Sequence, residues 1–126
     1  MEERFYYCKS CGNLAFMAVA SGVTPKCCGS DMQKLKANTS DGSKEKHMPE
    51  VEVVDKHNIK VKVGDMTHPM EDDHFIRFIC LETSLGCVIR YLEPGCSPEA
   101  CFCFKGEPKA VYAYCNIHGL WRVDVP

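Results

Sequence analysis

The residues best able to do chemistry in this 126-residue chain are its ten cysteines and five histidines, and they are unevenly spread. Cys8, Cys11, Cys27 and Cys28 crowd into the first 28 residues, and the other six cysteines lie beyond residue 79. Cys8-Lys9-Ser10-Cys11 places two thiolates on one tight turn, where both reach a single ion. Cys27 and Cys28 are adjacent, so in an extended strand their side chains would point apart. They serve one ion only if the backbone turns sharply, and Gly29 immediately after them permits that. Tetrahedral four-sulfur coordination suits iron or zinc, and this spacing does not separate the two. A zinc ribbon would carry a second C-x2-C, which is absent. A c-type haem is excluded, because Gly12 rather than histidine follows Cys11.

All five histidines lie after residue 46. Four sit in three distinctive settings: Glu45-Lys46-His47-Met48-Pro49, His68-Pro69-Met70-Glu71-Asp72-Asp73-His74, and Cys115-Asn116-Ile117-His118-Gly119. A single histidine is more often a surface or core residue than a ligand. Four of them, accompanied by a C-x2-H turn, read as one site. Imidazoles with a thiolate suit iron, copper or zinc. A blue-copper site wants an axial methionine after its final histidine, and none follows His118. A closed tetrahedral zinc site would leave one of the five groups redundant. Five protein ligands with one octahedral position open fit redox iron better.

These groups must be held by two kinds of scaffold. Residues 1–36 are too few to bury a self-sufficient core, so a bound metal is needed to supply folding free energy. Residues 37–44 are polar and turn-rich, as a linker would be. From residue 50 the pattern alternates with period two. Val51 and Val53, then Ile59, Val61 and Val63, predict a hairpin turning at Lys56-His57-Asn58 with one face inward. Further strands are predicted at Phe75–Leu81, Cys87–Leu92, Ala100–Lys105, Ala110–Asn116 and Gly119–Val123. No segment has an amphipathic helical period, and there is no internal repeat. The expectation is an all-β chain: a small metal domain (1–36), a linker (37–44) and an immunoglobulin-like antiparallel β-sandwich (45–126).

A net charge of −2 provides no global field for nucleic acid or an anionic membrane surface. No apolar stretch approaches a membrane span, and Met1-Glu2-Glu3-Arg4 does not open a signal peptide. A soluble, cytoplasmic protein is expected. Thiols stay reduced there, so the cysteines are read as metal ligands rather than a disulfide scaffold.

The C-x2-C-x15-C-C spacing, with Cys-Cys-Gly-Ser-Asp-Met at 27–32, resembles desulforedoxin, whose small domain holds one iron through four thiolates. Lys44-Glu45-Lys46-His47-x-Pro49, His68-Pro69-Met70-Glu71-x-x-His74 and Cys115-Asn116-Ile117-His118-Gly119-x-Trp121 resemble the three signature blocks of superoxide reductases. Together they identify the chain as similar to the desulfoferrodoxins, the two-iron superoxide reductases. The resemblance implies two irons per chain, the first held by Cys8, Cys11, Cys27 and Cys28. It assigns the second to His47, His68, His74 and His118, with the Cys115 thiolate opposite an open face. It further implies one-electron reduction of superoxide to hydrogen peroxide, an external donor such as rubredoxin, and a homodimer. Lys46 would attract the superoxide anion, and Glu45 would act on the oxidised metal after chemistry.

His57 falls outside these blocks and is read as solvated. Cys80, Cys87, Cys96, Cys101 and Cys103 match no ligand position and are read as small apolar core residues. Phe16, Phe75, Phe78, Phe102 and Trp121 are likewise core candidates rather than cofactor contacts. The competing functional class is a non-catalytic iron carrier or metal-storage module, which has no use for an open coordination position.

Overall fold

The computed structural model of the protein describes residues 4–39, 44–64 and 68–126, apart from the side chains of Lys44 and Glu45. The chain divides into two compact units between Ala37 and Asn38. In the first, β1 (Phe5–Tyr7), β2 (Leu14–Phe16) and β5 (Gln33–Lys34) form an antiparallel sheet of order β2-β1-β5. β3 (Lys26–Cys27) and β4 (Ser30–Asp31) form a separate short hairpin. One buried cluster here comprises Tyr6, Cys8 and Met32, flanked by Ala15, Met17 and Cys27, and Phe5 is buried with its ring 5.2 Å from that of Phe16.

The second unit contains one helical turn, α1 (Lys44–His47), followed by seven strands: β6 (Pro49–Asp55), β7 (Asn58–Val63), β8 (Ile76–Thr83), β9 (Gly86–Tyr91), β10 (Glu99–Cys103), β11 (Pro108–Cys115) and β12 (Gly119–Asp124). They form two antiparallel sheets, β10-β7-β6 and β12-β11-β8-β9. Ile59, Val61, Val63 and Phe102 of one sheet pack with Ile79, Leu81, Val111 and Ala113 of the other in one apolar cluster. Full burial of each such side chain is worth about 1.5–3 kcal/mol relative to exposure. A seven-stranded sandwich of three and four strands with crossovers between sheets is the expected immunoglobulin-like architecture.

Period-two alternation explains most of this placement. In β7 the inward row is Ile59, Val61 and Val63, and the outward row carries Lys60 and Lys62. Lys62 lies between Glu50 and Glu99, and Lys60 opposite Glu52, so opposite charges alternate across the outer face. Both edges of this sheet are lined by such solvated groups, which discourages pairing with other chains.

Three details differ from the sequence expectation. The expected inward row of β6 holds for Val51 but not Val53, which is half exposed, because a bulge between Val53 and Asp55 interrupts the register near the hairpin tip. One helical turn precedes β6, although four residues carry no readable helical period. Cys96, Cys101 and Cys103 are exposed, so the core reading fails for them. The cause in β10 is parity: Phe102 occupies the inward position, which turns both neighbouring cysteines outward on an edge strand. Cys80 is fully buried and Cys87 partly so. His57 is exposed in its turn, as expected.

Among the described residues no helix is long and apolar enough to cross a membrane. The cysteine exposures predict a labelling order. In the folded, metal-loaded protein Cys96, Cys101 and Cys103 should react with a maleimide, and Cys80 only after denaturation. Mass mapping that found Cys80 modified as fast as Cys101 would contradict this packing.

Candidate metal centres

The first centre is built from two turns. Cys8, Cys11, Cys27 and Cys28 present sulfur atoms that all lie within 4.8 Å of one another. The Cys8–Cys11 turn is closed by the Gly12 amide donating to the Cys8 carbonyl (2.8 Å) and the Cys8 amide donating to that of Asn13 (2.9 Å). Gly12 has φ +82°, which lets the chain reverse directly after the second thiol. On the other side, the two-residue loop between β3 and β4 consists of Cys28 (φ +53°) and Gly29 (φ +78°). Positive φ at both central residues is the signature of a type I′ hairpin turn. The sharp turn that adjacent cysteines require is therefore made by Cys28 itself, together with Gly29. Sulfur atoms of Cys11 and Cys27 approach to 3.5 Å, and those of Cys27 and Cys28 to 4.0 Å. The Asn13 side-chain amide donates to Cys27 Sγ at 3.7 Å.

The acidities of this group diverge. Hydrogen bonding from the Cys11 amide leads the effects that draw the Cys8 thiol down to about 7. Hydrogen bonding with the Cys11 thiol leads those that push Cys28 up to about 12 and also raise Cys27. One sulfur takes negative charge readily and its neighbours then resist it, as like charges at close range must. A cation among them removes the conflict, and four converging sulfurs are a donor set that iron or zinc accepts.

The second centre lies at one end of the sandwich. Strand register makes this unavoidable: Pro49 pairs with Val63, and Cys115 pairs with both Ile76 and Gly119. The residues before β6, before β8, after β7 and between β11 and β12 thus gather at the same end. His47 closes α1, His68 and His74 lie in the β7–β8 connection, and Cys115 and His118 flank the β11–β12 turn. Gly119 (φ +78°) allows the chain to re-enter β12 directly after His118.

The four imidazoles form a closed ring. Centroids of His47 and His68 are 4.5 Å apart, His68 and His74 4.9 Å, His74 and His118 5.2 Å, and His118 and His47 4.7 Å. Successive ring planes cross at 67–82°, whereas His47 and His74, across the ring, are 6.4 Å apart and only 30° from parallel. Donor atoms of His47, His74, Cys115 and His118 all lie within 4.8 Å of one another. His118 Nδ1 is 3.0 Å from His47 Nε2 and 3.9 Å from Cys115 Sγ.

Burial and tautomer prepare these atoms as electron-pair donors. His47 and His68 are almost entirely inaccessible. Burial draws the pKa of His68 down to about 4, so its ring is neutral at physiological pH. His68 Nδ1 lies 2.7 Å from the Pro69 carbonyl, an acceptor that fixes the proton there and leaves the lone pair on Nε2. That Nε2 and His74 Nε2 are buried with no hydrogen-bonding partner among the described residues. Two orphaned buried nitrogens cost free energy unless something accepts their lone pairs. Burial also raises the Cys115 thiol, against the opposing pull of the His118 and Ile117 amides. The His118 amide lies 3.4 Å from Cys115 Sγ. Four imidazoles and a thiol with inward donors fit a borderline transition-metal ion such as iron.

Eight of the nine cysteines and histidines expected as ligands thus fall in the two groups of converging donor atoms, and His68 joins the second through ring contacts with His47 and His74. Lys46 precedes His47 on α1 and is half-buried, while the side chain of Glu45 lies outside the described residues. Sequence reasoning missed Trp121 as part of the site. Its ring stacks on His47 at 4.9 Å with planes 24° apart, and its indole N–H donates to the His118 carbonyl (3.1 Å). The signal available was its place three residues after His118. Trp121 is the sole tryptophan, so its fluorescence reports on this centre alone. Loading metal-free protein with iron(II) should strongly quench that emission in proportion to occupancy of the His/Cys centre. Emission indifferent to loading would contradict metal binding beside His47.

Comparison with known proteins agrees with this geometry. Residues 39–124 match the family profile described as desulfoferrodoxin. A desulfoferrodoxin of Nitratidesulfovibrio vulgaris is 41% identical over 98% of this chain and 97% of its own length. The crystal structure of the superoxide reductase from Treponema pallidum superposes with TM-score 0.76 at 32% identity, covering 94% of this chain and 98% of that one. A superoxide reductase (1Fe-SOR) from Giardia intestinalis superposes with TM-score 0.54 at 30% identity, covering 65% of this chain and 98% of its own. By sequence match and by fold, the chain belongs to the desulfoferrodoxin family.

Proposed function

We propose that the protein is a superoxide reductase whose reaction takes place at the His/Cys centre. The observation that carries the reading is the closed ring of four imidazoles beside one thiol, with two buried nitrogens that have no hydrogen-bonding partner among the described residues. Iron held by His47, His68, His74, His118 and Cys115 would supply one electron to superoxide. With two protons, that electron converts superoxide to hydrogen peroxide, and an external donor restores the reduced state.

The chain's own groups have separable roles. Pro69 keeps His68 in the tautomer that presents Nε2, and Trp121 restrains both His47 and the His118 peptide. The His118 amide near Cys115 Sγ favours the thiolate in an otherwise discouraging buried setting. Lys46, one residue from His47, supplies the positive charge that draws in a small anion. Glu45 is assigned a part in peroxide departure rather than in the first encounter. Cys8, Cys11, Cys27 and Cys28 hold a second iron in the first unit. The working division is a desulforedoxin-like domain over 1–36, a linker over 37–44 and the catalytic sandwich over 45–126. A rubredoxin-like protein is the proposed donor, the cytoplasm the proposed compartment, and a homodimer the proposed assembly, since the small first unit has little core of its own.

Three outcomes test these assignments. Cys115→Ser should abolish the thiolate-to-iron absorption of the His/Cys centre and nearly all superoxide reduction; unchanged turnover would refute Cys115 as an iron ligand. Lys46→Ala should slow the second-order reaction with superoxide by about tenfold and flatten its salt dependence, measured by pulse radiolysis at several ionic strengths. An equally fast and salt-sensitive variant would remove Lys46 from the mechanism. Cys28→Ser should eliminate the four-thiolate spectrum while leaving superoxide reduction largely intact, and loss of both would overturn the separation of the two centres.

A further inference from the structure

Asn116 separates Cys115 from the turn to His118, and three of its polar groups face the segment containing His74. Its side-chain Oδ1 accepts from the Phe75 amide (2.9 Å), and its Nδ2 donates to the Asp73 carbonyl (3.0 Å). Its own backbone amide donates to the Phe75 carbonyl (3.2 Å). The two side-chain bonds therefore grip the chain immediately before and immediately after His74.

The register explains why a side chain is needed there. β8 and β11 pair regularly from Ile79↔Ala113 to Phe78↔Tyr114, then shift at Tyr114/Cys115 before Cys115 meets Ile76. Such a shift leaves backbone groups beyond it without ladder partners. Asn116 continues the interrupted pairing with a carboxamide, which has the same donor and acceptor as a peptide group. On the far side, Glu71 and His74 exchange both backbone bonds, at 3.0 and 3.1 Å, and close the Glu71–His74 turn on itself. His74 thus sits in a small closed turn whose exit is fastened to the Cys115–His118 turn by one amide side chain.

We infer that Asn116 is a positioning residue that locks the His74 imidazole to Cys115 and His118. It touches neither substrate nor iron and acts by holding these ligands at a fixed separation. Among the described residues none hydrogen-bonds His74 Nε2 to orient it, so its ring position depends on the backbone that Asn116 fastens. Without the carboxamide, the turn retains its Glu71–His74 bonds but its exit can move relative to the thiolate. Outer groups that orient metal ligands typically account for about 10–100-fold in metal affinity.

This inference rests on the proposed ligand set, and the experiment separates the two. Iron-loaded full-length protein, Asn116→Ala and Asn116→Asp would be compared by the thiolate-to-iron absorption band and by the rate of iron release to a competing chelator. Absorption from the four-cysteine centre provides an internal reference. Asn116→Ala should shift the band and hasten release from the second centre by about tenfold or more. Asn116→Asp keeps the acceptor for Phe75 and loses the donor to Asp73, so it should fall between. If Asn116→Ala does not fold, the same displacement in Asn116→Asp still decides the matter. A variant with lowered melting temperature but an unshifted band and unchanged release would overturn the positioning role. A wild-type protein with no thiolate-to-iron band would instead overturn the ligand set itself.

Discussion

The second unit depends on one constraint: imidazole lone pairs and a thiol sulfur must face one another in a largely buried space. Each wants a partner, and the described residues give two of the nitrogens none. A buried polar atom left alone costs about 1–3 kcal/mol, so the surrounding structure must hold the group against its tendency to open toward solvent. The sandwich does this by register, bringing three connections to one end. The Pro69 carbonyl, the Trp121 ring and the Asn116 carboxamide then remove the remaining freedom one ring at a time. A metal ion satisfies the inward atoms all at once, which makes a costly arrangement of free groups a stable arrangement of bound ones.

Much of this was legible in the residues because ligand type and local spacing are one-dimensional properties. Cys115-x2-His118, Cys8-x2-Cys11 and the alternating Ile59, Val61 and Val63 each encode their own geometry within a few positions. What the sequence did not disclose was set by tertiary register. Cys101 and Cys103 face outward because Phe102 faces inward, and that choice belongs to the packing of both sheets. His118 presents Nδ1 where His47 presents Nε2, a distinction made by ring rotation. Trp121 was expected in the core and is indeed buried, yet its neighbour is a site histidine. Burial and function are compatible there, and apolar character reveals only the first.

Carboxamide side chains also recur where a strand has run out of partners. Asn38 (φ +62°) lies beside the open edge of β12, its amide donating to Leu120 and its side chain exchanging two bonds with the Arg122 backbone. Asn116 performs the corresponding service beyond the shift between β8 and β11. The second residue of the expected linker, 37–44, is thus anchored, and the second unit begins there, at Asn38. In both places a residue that looks like ordinary turn composition serves as a short substitute for missing backbone.

The left-handed backbone of Cys28 has a consequence for how the first centre comes into being. A non-glycine residue at positive φ is disfavoured by about 1 kcal/mol or more, so this hairpin is weakly disposed to form by itself. The Cys8–Cys11 turn meets no such obstacle, since glycine takes its left-handed position. The two halves of the centre therefore differ in what their backbones ask: the Cys8–Cys11 turn places only glycine in the left-handed region, while the Cys27–Cys28 hairpin places a ligand there. The centre is a clasp with one relaxed jaw and one sprung jaw.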